Sequence, residues 1–119
     1  MMMTVNFDHW PYPGWAAHRG AGKLAPENTL AAFRLGAQQG FRLFECDVKL
    51  SVDGVPFLLH DDRLDRTTDG SGVAGALPWQ ALCRLDAGRW HSPAYVGEPM
   101  PTLQQLAAWV CANGFLLDL

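Results

Sequence analysis

The sequence predicts an α/β fold built on a parallel sheet. Three observations carry that expectation. Segments of strand and helix period follow one another as strand, helix, strand, irregular stretch, helix, strand. The connections between the three strands of this pattern each contain a helix, the form that a right-handed parallel crossover takes. Hydrophobic residues make up 49% of the 119 residues against 18% charged, an apolar content that can bury a core and exceeds that of a disordered chain. The length suits one domain of about 100–150 residues.

The elements follow in order. Residues 1–13 read as an irregular lead-in containing Trp10, Pro11, Tyr12 and Pro13. Trp15-Ala16-Ala17-His18 reads as a short strand, and Gly20, Gly22 and Pro26 make the next stretch a loop. A helix capped by Asn28 or Thr29 comes next, with Leu30, Phe33 and Ala37 on one face and Gly40 as its stop. Arg42–Leu50 reads as one strand, with Phe44, Cys46, Val48 and Leu50 on an apolar face and Leu43, Glu45, Asp47 and Lys49 on the other. Asp53-Gly54 signals a two-residue hairpin turn. That turn sets Val52 opposite Val55, Leu50 opposite Phe57, Val48 opposite Leu59 and Asp47 opposite His60.

From Asp61 to Pro101 the composition shifts to turn residues. Thr67–Gly72 and four prolines punctuate it, and a helical turn is expected near Trp79–Leu85. A second helix starts at Thr102, with Gln105 completing a capping box and Leu103, Leu106, Ala107 and Val110 as its apolar stripe. Asn113-Gly114 ends it, and Phe115–Leu119 reads as the third strand.

Composition also excludes function classes. The net charge is −3, only Lys23 and Lys49 are lysines, and the arginines are scattered, so neither a nucleic-acid surface nor a polybasic membrane segment is expected. No apolar run approaches the roughly 20 residues of a membrane span. Met1–Trp10 lacks the basic and continuous apolar regions of a signal peptide. Cys46, Cys83 and Cys111 are odd in number and far apart, which fits idle thiols in a reducing cytoplasm and no disulfide framework or zinc site.

Three ionisable clusters stand at predicted strand ends: His18-Arg19, Glu45 with Asp47, and His60-Asp61. Parallel strands bring such ends together. The residue types suit cleavage of a phosphodiester. Arg19 can grip phosphate oxygens with its planar fork. Glu45 and Asp47, two residues apart on a strand, point the same way about 7 Å apart and can hold a hard cation, Mg²⁺ or Ca²⁺. His18 and His60 can share acid and base roles near neutral pH. Taken singly, each cluster also has a structural reading, as an exposed polar face or a helix cap. Asp86 and Trp90 read as stabilising the irregular stretch, and His9 and His91 have no evident partners.

The sequence also resembles a known family. His18-Arg19-Gly20 with Pro26-Glu27-Asn28-Thr29 and Ala32-Phe33, then Glu45-Cys46-Asp47-Val48, Asp53-Gly54 with His60-Asp61, Leu64–Gly70 with Gly72, Leu85–Trp90, Gly97-Glu98 and Pro101-Thr102-Leu103 are similar, in order, to the motifs of the glycerophosphodiester phosphodiesterases. The similarity runs from about residue 14 to Leu119 and is nearest to the cytoplasmic bacterial branch. It implies the N-terminal part of a (β/α)8 barrel with a small insertion, about 61–101, after the second strand. It implies hydrolysis of glycerophosphodiesters to glycerol 3-phosphate and an alcohol, with His18 and His60 as the acid/base pair, Arg19 on phosphate, and Glu45 and Asp47 on the metal.

A full barrel needs about 250 residues. The resemblance also implies a third carboxylate ligand and a lysine on the third strand, in a position just after Leu119. The chain alone is therefore expected to bind metal weakly, to turn over little, and to self-associate through an exposed half-barrel surface. Two other classes share these residues. One is a non-catalytic half-barrel acting in binding or assembly. The other is a phospholipase-D-like barrel lyase that releases a cyclic phosphate.

Overall fold

The computed structural model describes residues 2–4 and 15–119. Four strands form the main sheet: β1 (Met2–Thr4), β2 (Trp15–His18), β3 (Leu43–Glu45) and, last in the chain, β6 (Leu116–Asp118). They lie in the order β1-β2-β3-β6. β2, β3 and β6 are parallel, and β1 pairs antiparallel with β2. Helix α1 (Leu30–Gln38) links β2 to β3, and α3 (Leu103–Ala112) precedes β6. β1 corrects the expected irregular lead-in over residues 1–13. Three residues are too few to show a period of two. Residues 1 and 5–14 of that lead-in, and His9 with them, lie outside the described residues.

The helix ends follow from side-chain chemistry. Thr29, not Asn28, caps α1: its Oγ1 accepts from Ala32 N at 3.2 Å and donates to Pro26 O at 2.7 Å. Thr102 caps α3 with the expected box, Gln105 N to Thr102 Oγ1 at 3.0 Å and Thr102 N to Gln105 Oε1 at 2.9 Å.

The expected single strand over Arg42–Leu50 is two strands. β3 stays in the main sheet, whereas β4 (Val48–Leu50) leaves it to pair with β5 (Pro56–Leu58). The break has a local cause. Cys46 N still bonds Asp118 O at 3.1 Å, but Asp47 N turns to the Asn28 side chain at 3.3 Å. Face alternation fails accordingly: Leu43, read as polar-face, is 7% exposed, and Leu50, read as apolar-face, is 59% exposed. A parallel strand covered on both sides has no wet face.

The hairpin register is also one residue from the expectation. Val48 lies opposite Leu58, Lys49 opposite Phe57 and Leu50 opposite Pro56. Val52-Asp53-Gly54 forms a three-residue connection, with Gly54 at φ +83 and Ser51 N bonding Val55 O at 3.0 Å. Ser51 selects this form: its Oγ accepts from Val55 N at 2.8 Å and donates to Asp53. Leu59 therefore meets Asp47, with Leu59 N to Asp47 O at 3.1 Å, and His60 does not. A one-residue slip turns side chains to the opposite face.

The main core packs Ala17, Phe33, Phe44, Cys46, Leu58, Leu106 and Val110 between sheet and helices. Residues 59–100 add a second core of their own around Leu59, Leu64, Leu82 and Met100, with a short helix α2 (Trp79–Leu82). α1 also presses on the loop after β2. A Cβ on Gly36 would stand 2.2 Å from Gly20 O. Gly36→Ala should gain about 1 kcal/mol of helix propensity. The backbone collision should cost more, so a net loss of about 1–3 kcal/mol is expected in urea unfolding. No helix among the described residues is long and apolar enough to cross a membrane.

Candidate active site

Register builds the site. His18 lies opposite Glu45 on β2 and β3, and Glu45 lies opposite Asp118 on β6, so one row across the sheet carries all three at the strands' C-terminal ends. Parallel α/β sheets present their chemistry at that end. Among the described residues, two non-glycine residues have positive φ, Arg19 at 53 and Asn28 at 59, and both lie beside this row. Such backbone conformations persist where surrounding contacts hold them. Here Arg19 N donates to Glu45 Oε2 at 3.0 Å, and Asn28 N donates to Arg19 O at 2.9 Å.

Four of the five expected residues meet directly. His18 Nε2 lies 3.6 Å from Glu45 Oε2, and Arg19 Nε lies 3.5 Å from Asp47 Oδ2. Asn28 grips Asp47 twice, Nδ2 to Oδ2 at 3.1 Å and Asp47 N to Oδ1 at 3.3 Å. Arg19 Nη1 donates to Glu27 Oε2 at 3.2 Å. Its Nε is buried and makes no hydrogen bond among the described residues, and faces Asp47 as an ion pair only.

His60, the fifth, joins through intermediaries, which corrects the expected cross-strand pairing with Asp47. Its Nδ1–H donates to Asp61 Oδ1 at 2.8 Å. Arg66 binds Asp61 with two nitrogens, at 2.9 and 3.0 Å, and Glu27 with two more bonds, at 2.9 and 3.0 Å. Glu27 in turn holds Arg19. The chain Arg19–Glu27–Arg66–Asp61–His60 thus ties the irregular stretch to the sheet. Sequence reasoning missed the roles of Glu27, Asn28, Asp61 and Arg66 here. One signal was present: with Thr29 able to cap the helix, the adjacent Asn28 was free for another task. Arg66 is 39 residues from Glu27 and gave none.

Electrostatics follow from these contacts. Burial raises the Glu45 carboxyl above its ordinary value; the Arg19 N–H opposes this and the charge of Asp47 adds to it. Cys46, buried between these carboxylates, is pushed up to about 12 and is an inert thiol at neutral pH. The hydrogen bonds from Arg66, and then from His60, hold Asp61 well below the usual carboxylate range. A carboxyl whose folded pKa is depressed stabilises the fold above its unfolded pKa and loses that contribution as pH falls. The Tm advantage of the parent over Asp61→Asn should therefore be full near neutrality and shrink as pH drops below the ordinary value of 3.8. A pH series of thermal melts reads this directly.

His18, Arg19 and Glu27 line a cleft of about 460 Å³ together with Lys23, Arg66, Trp90 and His91. His91 has partners after all: Nε2 meets Lys23 O at 2.8 Å and Nδ1 meets Ser92 Oγ at 3.1 Å. Asp86 stabilises its own loop as expected, accepting from the N–H groups of Gly88, Arg89 and Gly97. Trp90 also bonds within that loop, Nε1 to Ala87 O at 2.9 Å, but its ring lines the cleft.

For a cation, the donor chemistry fits in part. Glu45 and Asp47 are hard oxygen donors beside each other, and a cation would offset the burial and, after it, the neighbouring Asp47 charge that raise Glu45. No group of three ligating side chains occurs among the described residues. The set as a whole, imidazoles, guanidinium and paired carboxylates, suits chemistry at a phosphorus centre.

Comparison with known proteins gives the family and the fold. Residues 18–118 match the glycerophosphoryl diester phosphodiesterase family, and the chain belongs to it. A glycerophosphodiester phosphodiesterase of Caldanaerobacter subterraneus is 37% identical over 103 residues, which are 87% of this chain and 42% of that one. An Oleispira antarctica phosphodiesterase, solved with the product sn-glycerol-3-phosphate, is 46% identical with a TM-score of 0.83, covering 87% of this chain and 42% of that one. An Agrobacterium tumefaciens glycerophosphodiester phosphodiesterase gives 41% identity and a TM-score of 0.79, over 82% and 42% of the two chains. The fold is thus the N-terminal part of a (β/α)8 barrel. The chain spans well under half the length of the curated relatives it matches, 36% of one and 42% of another.

Proposed function

We propose that the protein hydrolyses glycerophosphodiesters to glycerol 3-phosphate and an alcohol, with Mg²⁺ or Ca²⁺ held by Glu45 and Asp47. The observation that carries this reading is the single row in which His18 faces Glu45, with Arg19 bridging to Asp47 beside it. When bound, the cation would offset negative charge developing on phosphorus and on the leaving oxygen. Arg19, which lines the cleft, holds the phosphate through its guanidinium. Asp61 fixes the His60 ring through Nδ1 and leaves Nε2 to move a proton. His18, half-exposed beside Glu45, is the second proton carrier of the acid/base pair.

Two carboxylates leave a hard cation short of the six or more oxygens it takes. The 119-residue chain alone is therefore proposed to bind cation weakly and to turn over slowly. Among the described residues β6 ends the sheet order, and its outer edge is the surface through which the 119-residue chain is proposed to self-associate, read by sedimentation across concentrations. Cytoplasmic residence belongs to the same reading and is supported by three free cysteines.

Phosphorus NMR of glycerophosphocholine at high protein concentration tests the reaction. Slow formation of glycerol 3-phosphate, abolished by EDTA, is expected. A cyclic phosphate product, or release that EDTA does not affect, would contradict the proposal; rapid turnover would contradict the weak-cation part of it.

A further inference from the structure

The chain is acidic overall, yet the cleft is not. Its lining carries Arg19, Lys23 and Arg66 with one carboxylate, Glu27; Arg19 is paired with Glu27 and Asp47, and Arg66 with Glu27 and Asp61, which leaves Lys23 as the lining cation that no carboxylate meets among the described residues. Both oxygens of Glu27 are taken, Oε1 by Arg66 and Oε2 by Arg19 and Arg66. No free carboxylate of the lining is left to meet a cationic group. The ring of Trp90, 39% exposed, would otherwise attract a quaternary ammonium, but the Arg66 guanidinium already lies over it at 6.0 Å. Lys23 is exposed and makes no ion pair among the described residues. Its backbone is tied to another lining residue by the 2.8 Å bond between Lys23 O and His91 Nε2, which holds this cation at the cleft.

We infer that the preferred leaving alcohol itself carries negative charge, and that Lys23 is the residue that selects it. This rests on the proposed hydrolysis: with Arg19 committed to the scissile phosphate, Lys23 is the lining cation without another assignment. Electrostatic selection of this kind acts against the wrong charge as much as for the right one.

NMR titrations of the 119-residue chain at low salt and fixed Ca²⁺ test it with three probes. Glycerophosphocholine has a cationic alcohol, glycerophosphoinositol a neutral one, and glycerophosphoinositol 4-phosphate an anionic one. The expected order of affinity is anionic, neutral, cationic, with about threefold to fivefold between the first two, the worth of one partly exposed ion pair. Lys23→Gln should erase that first gap and leave glycerophosphoinositol within about twofold. Lys23→Glu should invert the order. Equal or tighter binding of glycerophosphocholine, or a gap that survives Lys23→Gln, overturns the inference while leaving the proposed reaction standing. If neither the three probes nor glycerol 3-phosphate perturbs His18, both fall together.

Discussion

His60→Ala should take cation-dependent release of glycerol 3-phosphate down to the level of buffer, a loss of about 10²–10⁴-fold, the usual worth of a positioned acid or base. The fold should survive, because the His60 side chain is 43% exposed and, among the described residues, its one hydrogen bond goes to its neighbour Asp61. Near-UV circular dichroism, which reports the five tryptophans, should be unchanged. A companion variant separates the imidazole from its support. Asp61→Asn keeps the ring but removes the charge that orients it, so a smaller loss with a shifted pH profile is expected. A His60→Ala rate within about tenfold of the parent would remove His60 from the acid/base pair.

Phe44→Ala carries the largest expected effect on stability. Phe44 is fully buried, and its ring lies 5.9 Å from Phe33, 5.3 Å from Trp109 and 5.4 Å from Phe115. It ties β3 to both helices. Truncation removes that apolar area and leaves a cavity, costing about 3–5 kcal/mol. A domain of this size has about 5–15 kcal/mol in all, so the variant should be marginally folded at best. Phe44→Leu keeps most of the volume and should cost about 1–2 kcal/mol, leaving a measurable urea transition. Equal midpoints for the parent and Phe44→Ala would show that the core is not organised around this ring. The same strand delivers Glu45 and Asp47, so its packing and the site geometry are one structural problem.

What was legible in the sequence was what local rules decide. Thr102 and Gln105 announced a capping box because both partners lie within one helical turn. His18, Arg19, Glu45 and Asp47 could be gathered because strand ends of a parallel sheet converge whatever their side chains do. The misses occurred where a choice was made by a residue outside the local pattern. Asp53-Gly54 fits two turn geometries equally, and the hydroxyl of Ser51 settles between them. Arg42–Leu50 has the pattern of one strand, but the side chain of Asn28 captures Asp47 and bends the chain away. The route from His60 to Arg19 runs through Arg66 and Glu27, which only tertiary folding brings together.

In the proposed reaction His18, His60, Arg19, Glu45 and Asp47 act around one cation and one phosphate. The most direct measurement is an NMR titration of the chain with sn-glycerol 3-phosphate, with and without Ca²⁺, following both histidine rings. Both rings should respond, Ca²⁺ should tighten the binding, and Glu45→Gln with Asp47→Asn should abolish the Ca²⁺ effect. Histidine signals that ignore the ligand, or a Ca²⁺ effect that persists without the two carboxylates, would contradict the proposed reaction.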